Sequence, residues 1–125
     1  GRAIAEKVRE TGADRIGGVA LGGVPLAAVA SVESDVPYVI ARKEEKEYGT
    51  GNAVEGELEE GDRVVVVEDI VTTGASAVEA VEKLRDAGAV VEDIIVVVDR
   101  QEGGRENVEG ARLRMHALTT AEELV

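Results

Sequence analysis

An α/β fold, a Rossmann-like parallel sheet with helices on both faces, is predicted by three observations. Two strand candidates are unbroken apolar runs, Val64–Val67 and the IIVVV run within Val90–Asp99. Unbroken runs, as opposed to alternation, mark strands buried on both faces. Helical patterns alternate with the strands along the chain, and that order builds parallel sheets through crossover helices. Glycines sit where helices should stop, at Gly12 and Gly88.

In chain order, Gly1–Thr11 reads as a helix, with Ile4 and Val8 on one face and Gly12 as its stop. Arg15–Leu21 (RIGGVAL) is a short strand. Gly22, Gly23 and Val24 turn the chain, and Pro25 takes the first helical position. Leu26–Val32 is almost wholly apolar, so its helix is buried. Pro37–Ala41 is the next strand. Arg42–Gly61 carries many charges and four glycines with little apolar periodicity. It reads as a mobile excursion, about 43–60, or a loose β-hairpin.

The central element is Val64–Ser76, VVVVEDIVTTGAS. A buried strand ends in two acids, Glu68 and Asp69. A small-hydroxyl turn follows, and a helix, Gly74–Ala87, starts. That helix should bury Ala77, Val78, Val81 and Leu84, with Glu79 and Lys83 paired one turn apart on its other face. Val90–Asp99 is a further buried strand. Gln101–Gly110 reads as a polar, glycine-bearing loop and Leu113–Leu118 as a last strand. Thr119 is expected to cap a terminal helix, with Glu122 as its capping-box partner.

Composition narrows the function. The 125 residues hold 26 acids against 14 bases, a net charge of −12, and no Cys, Phe or Trp. They amount to one domain, residues 1–125, with an aliphatic core. Disulfides and thiolate metal sites are excluded. Nonspecific nucleic-acid binding is disfavoured, because it needs a basic footprint. No apolar run reaches membrane-spanning length and no signal peptide is visible, so a soluble cytosolic protein is expected. Heavy acid with scarce lysine fits a protein that works in high salt. It fits an engineered or ancestral-style sequence equally well.

Beyond the carboxyl ends of parallel strands, a helix start offers free N–H groups and a positive dipole end. That is an anion site needing no lysine. Thr72, Thr73 and Ser76 add hydroxyls, and Gly74 permits a sharp turn. Glu68 and Asp69 can accept hydrogen bonds from ribose hydroxyls or hold a hydrated divalent metal. The site suits a phosphorylated sugar. Taken singly, each piece is an ordinary cap or turn; the whole order is the signal. Gly22–Gly23 is either a tight connection or a second anion cradle at the same edge. Arg42, Lys43 and Lys46 cluster three bases in an acidic chain, which suits a polyanionic leaving group. Asp99–Arg100 is either a surface ion pair or part of the ligand edge. His116, the only histidine, is assigned no role.

Val64–Ser76 resembles the phosphoribosyl-pyrophosphate (PRPP) motif of type I phosphoribosyltransferases. Ala41–Gly51 (ARKEEKEYGTG), Val19–Ala27 (VALGGVPLA) and Val96–Val108 (VVVDRQEGGRENV) resemble the catalytic loop, pyrophosphate loop and base-contacting strand end of the orotate branch. The resemblance covers essentially the whole chain. It implies transfer of the phosphoribosyl group of PRPP to orotate, with Mg²⁺ bound mainly through PRPP and no certain direct protein ligand. Glu68, Asp69, Thr72, Thr73, Gly74, Ala75 and Ser76 would hold PRPP. Gly22, Gly23, Arg42, Lys43 and Lys46 would hold pyrophosphate, and Arg100 the base. Lys46 and Asp69 are the implied catalytic residues. A homodimer is implied, because the loop closes over a neighbouring subunit's site in that branch. Two departures are evident. Tyr48 stands where many members have histidine, and on this resemblance the amino-terminal hood of the family is expected to be missing, which should weaken base binding. The alternatives are a PRPP- or nucleotide-binding core without base-dependent turnover, and a purine phosphoribosyltransferase.

Overall fold

The computed structural model describes residues 2–19, 23–41 and 54–120. The elements run α1 (Arg2–Thr11), β1 (Arg15–Val19), α2 (Gly23–Ser34), β2 (Tyr38–Ala41), β3 (Val54–Glu55), β4 (Arg63–Val71), α3 (Ala75–Asp86), β5 (Val90–Asp99), α4 (Gly104–Gly110) and β6 (Arg114–Thr120). They form one six-stranded sheet in the order β3-β2-β1-β4-β5-β6. Five strands are parallel, and only β3 runs antiparallel, pairing Val54 with Ala41 and Glu55 with Ile40.

The valine run explains the layers. Successive side chains of a strand point to opposite faces. Val64 and Val66 accordingly pack with Ala77, Ala80, Val81 and Leu84 of α3 and with Val108 of α4. Val65 and Val67 pack on the other face with Ile4 and Val8 of α1 and Ala27 and Ala30 of α2. Both faces of β4 are therefore buried, as the unbroken run predicts. Full burial of each such side chain is worth roughly 1.5–3 kcal/mol.

The connections from β1 and β4 lead in opposite directions, β1 through α2 to β2 and β4 through α3 to β5. The crevice between β1 and β4 is thus the topological switch point, where open α/β sheets bind ligands. Pairing of β1 with β4 stops at Gly18 and Val67, whereas β4 stays paired with β5 as far as Val71 and Asp99. Among the described residues, β1 offers the last stretch of β4 no pairing partner.

Several expectations are corrected. Gln101–Gly110 is not all loop, because α4 occupies Gly104–Gly110. Thr119 lies inside β6, paired with Val98, so it caps no helix. Glu68 and Asp69 lie within β4, because β5 supplies pairing partners beyond them. Pro25 is the third residue of α2, which begins at Gly23. Val78 is half-buried, but Glu79 and Lys83 do pair, at 3.5 Å. Of the stretch about 43–60, residues 43–53 lie outside the described residues, and the hairpin alternative is supported, because Val54–Glu55 form β3, antiparallel to β2.

Candidate functional site

Four segments meet at the carboxyl edge of the sheet: the start of α2, the end of β4, the Thr72–Gly74 turn into α3, and the end of β5. A Cβ built on Gly23 would lie 2.7 Å from the Val67 carbonyl oxygen. The first turn of α2 therefore rests directly on the end of β4, and only glycine fits there. Neither α2 nor α3 carries an acid in its first turn, in a chain with 26 of them. Both positive helix ends are thus left unneutralised by their own side chains.

Glu68 is buried, and its Oε1 accepts the Asp69 N–H at 3.2 Å. Asp69 Oδ1 accepts the Ile70 N–H at 2.8 Å. The two carboxylates thus take up main-chain donors where β1 no longer flanks the strand. The side-chain alternation slips here too. Val66 and Val71 share one core cluster despite an odd separation, and Ile70 is exposed. Asp69 is half-buried, so part of the residue stays open to solvent.

The turn into α3 is set by Gly74, which has φ 87°. That left-handed conformation disfavours side chains. Gly74 is the N-cap of α3 and no side chain caps the helix. The Ala75 N–H reaches only a long contact, 3.5 Å, to Thr73 Oγ1. Thr72, Thr73, Ala75 and Ser76 are all exposed. Hydroxyls and helix-start amides here face solvent over a positive dipole end, and that is the chemistry of a phosphate site.

At the neighbouring strand end, Asp99 is buried and its Oδ1 accepts the Gln101 N–H at 2.8 Å. The Arg100 N–H donates to the Val71 carbonyl at 2.9 Å. That bond ties the two strand ends together while the Arg100 side chain stays half exposed, 3.7 Å from Glu102. A concavity of about 170 Å³ opens beside it, lined by Asp99, Gln101, Gly103, Arg105 and Glu106. None of the residues expected to hold PRPP lines it.

The structure thus brings Gly23, Glu68, Asp69, Thr72, Thr73, Gly74, Ala75, Ser76 and Arg100 to one edge. Gly22, Arg42, Lys43, Lys46 and Tyr48 lie outside the described residues. His116 sits away from this edge, in mid-β6, with Nε2 2.9 Å from Asp93 Oδ1. Arg114 forks onto the same carboxylate at 3.0 and 3.1 Å. Burial pushes the Asp93 carboxyl up, but the hydrogen bonds from His116 and Arg114 outweigh it and hold the group below its usual range.

One residue of the site escaped the sequence reading. Asn107 of α4 donates from Nδ2 to the Thr73 carbonyl at 2.6 Å. The one available signal for α4 was the spacing of Arg105 and Glu109, which do pair at 3.6 Å.

Comparison with known proteins agrees with this geometry. A family model described as phosphoribosyl transferase domain matches residues 1–113. The chain is 54% identical to the orotate phosphoribosyltransferase of Natronomonas pharaonis, over 95% of this chain and 72% of that protein. The crystal structure of orotate phosphoribosyltransferase from Aeropyrum pernix superposes with a TM-score of 0.84 at 34% identity, covering 96% of this chain and 71% of that one. The Mycobacterium tuberculosis H37Rv enzyme in complex with PRPP superposes with a TM-score of 0.79 at 32% identity, covering 97% and 73%. The chain belongs to the phosphoribosyltransferases and, within them, to the orotate phosphoribosyltransferase family.

Proposed function

We propose that this chain transfers the phosphoribosyl group of PRPP to orotate, giving orotidine 5′-phosphate and pyrophosphate in pyrimidine biosynthesis. It would act in the cytosol as a homodimer. The observation that carries the reading is the joined pair of strand ends. An uncapped, acid-free helix start follows β4, and a half-exposed arginine follows β5, tied to β4 through the Arg100 N–H and Val71 carbonyl. One end suits a phosphate and the other an anionic base. The PRPP-bound relative of the same fold supports it.

The division of labour follows from the chemistry. Thr72–Ser76 hold the 5′-phosphate through main-chain N–H groups and hydroxyls. Glu68 and Asp69 accept hydrogen bonds from the ribose hydroxyls. Arg100 pairs with the orotate carboxylate. The C1–oxygen bond breaks toward an oxocarbenium-like ribose and pyrophosphate leaves with the bonding electrons, while a ring nitrogen of orotate bonds to C1 and gives up its proton to the leaving pyrophosphate or to water. Stabilising the departing pyrophosphate charge is then the main task. Gly22, Gly23, Arg42, Lys43 and Lys46 are assigned to it. Among the described residues no group of three or more acids or histidines is arranged to hold a metal. The adjacent Glu68 and Asp69 nevertheless offer the oxygen donors that suit Mg²⁺ when PRPP and water complete its shell. When bound, Mg²⁺ would supply positive charge to the pyrophosphate oxygens.

The test is pyrophosphate release from PRPP and Mg²⁺ in high salt, with orotate and then with adenine, guanine, hypoxanthine or uracil. Orotate-dependent release supports the proposal, and release driven by a purine overturns the base assignment. Protection from heat by PRPP without base-dependent release would make the chain a binding core. Lys46→Ala should lower turnover with orotate; unchanged turnover would remove Lys46 from the mechanism.

A further inference from the structure

We propose that Asn107 is a positioning residue that sets the 5′-phosphate cradle from behind. The proposal rests on the phosphate assignment of Thr72–Ser76 and deepens it. At seven residues, α4 is too short to hold its shape alone. Its neighbours fix it from three sides. Arg85 of α3 donates from Nη1 to the Ala111 carbonyl at 2.9 Å, just past the end of α4, and from Nη2 to the Val91 carbonyl at 2.7 Å. Arg105 donates to the Met115 carbonyl of β6 at 3.2 Å. A Cβ on Gly104 would lie 2.5 Å from Val71 Cγ1 and 2.6 Å from the Thr72 carbonyl oxygen, so α4 is seated hard against the turn.

From that seat Asn107 reaches the turn itself, at 2.6 Å to the Thr73 carbonyl. This carbonyl belongs to the Thr73–Gly74 peptide, which leads into the uncapped helix start. Turning that peptide would turn the amides that follow it. Gly74, without a side chain and at φ 87°, gives that peptide more freedom to turn than another residue would, although its own carbonyl already accepts the Val78 N–H at 2.9 Å. Asn107 supplies a fixing bond to the Thr73 carbonyl. The brace also closes a loop in the structure. Arg85, at the far end of α3, holds the end of α4, and α4 holds the turn at the start of α3.

The test compares the wild-type chain with Asn107→Ala and Asn107→Leu. Neither variant can donate to the Thr73 carbonyl, and Asn107 is exposed, so both should fold. Calorimetric affinities are measured for ribose 5-phosphate, PRPP and pyrophosphate. The expected result is an affinity loss of about three- to tenfold, as for one hydrogen bond. It should be the same for ribose 5-phosphate and PRPP, with pyrophosphate affinity and the unfolding temperature of the unliganded protein unchanged. Equal loss for pyrophosphate, or loss for none of the three, overturns the proposal while the phosphate assignment stands. A wild-type chain that binds neither ribose 5-phosphate nor PRPP overturns that assignment and this proposal with it.

Discussion

The carboxyl ends of β4 and β5 are built with the same device and present opposite chemistry. In each, an acid folds its carboxylate onto the main chain ahead of it: Asp69 onto the Ile70 N–H, and Asp99 onto the Gln101 N–H. After β4 the chain turns through a left-handed glycine into a twelve-residue helix, leaving exposed hydroxyls and a positive helix start. After β5 the chain leaves one guanidinium half exposed and turns into a short helix whose Asn107 reaches back to the first turn. On the proposed reading, affinity at the first end would come from the backbone and recognition at the second from a side chain. Mutations should therefore separate them.

Gly74→Ala should do the most damage. The new Cβ must adopt a left-handed φ and would sit 3.1 Å from both the Gly104 carbonyl oxygen and Val108 Cγ2. Overpacking and strain should cost about 1–3 kcal/mol in chemical denaturation. PRPP affinity should fall as well, while any residual orotate selectivity survives. A fully stable variant would show that the turn is looser than its packing indicates.

Arg100→Met sharpens the contrast from the other side. Among the described residues its side chain pairs with an exposed glutamate 3.7 Å away, so stability should barely move. Losing a charged hydrogen bond to the base should raise the orotate KM about tenfold or more, with PRPP affinity unchanged. Equal losses for the two substrates in steady-state kinetics would remove Arg100 from base recognition.

Asp93 provides a control away from both ends. Its carboxyl is held below the usual range, because the hydrogen bonds from His116 and Arg114 outweigh the upward push of burial. A depressed carboxyl contributes stability in full above its unfolded pKa and loses it as pH falls through its folded one. Wild type should exceed Asp93→Asn by something on the order of 1 kcal/mol near neutrality. The gap should close as the solution is acidified below the ordinary carboxylate range, as followed by thermal unfolding at several pH values. Substrate affinities at neutral pH should not change.

The smallest effect should come from salt. A chain of net charge −12 repels itself, and screening relieves that repulsion. The unfolding temperature should rise from low salt to molar salt in wild type and in all three variants alike.

The sequence made the layers and the turn into α3 legible for a physical reason. Val64–Val67, between turn signals and rich in β-branched residues, reads as a strand buried on both faces, and TTGAS before an amphipathic stretch reads as a helix start. α4 was illegible because its one fully buried apolar side chain is Val108, which leaves no periodicity to read. Its stability comes from Arg85, Arg105 and the seat at Val71, all tertiary contacts. Thr119 carried a real capping signal, but pairing with Val98 overrode it. The acids looked like a strand end because β1 does stop there; β5, distant in sequence, carries β4 onward. Asn107 has no sequence signature at all, since its function depends on where a short helix lands.

The central claim is that the helix start after β4 holds the 5′-phosphate. The most direct measurement is a titration of the isotopically labelled chain with ribose 5-phosphate, followed by backbone amide chemical shifts. The largest shifts should fall on Gly74, Ala75 and Ser76, with smaller ones at Thr72 and Thr73 and little at Gln101–Gly103. Largest shifts at Gln101–Gly103, or saturation with the Gly74–Ser76 amides unmoved, would contradict it.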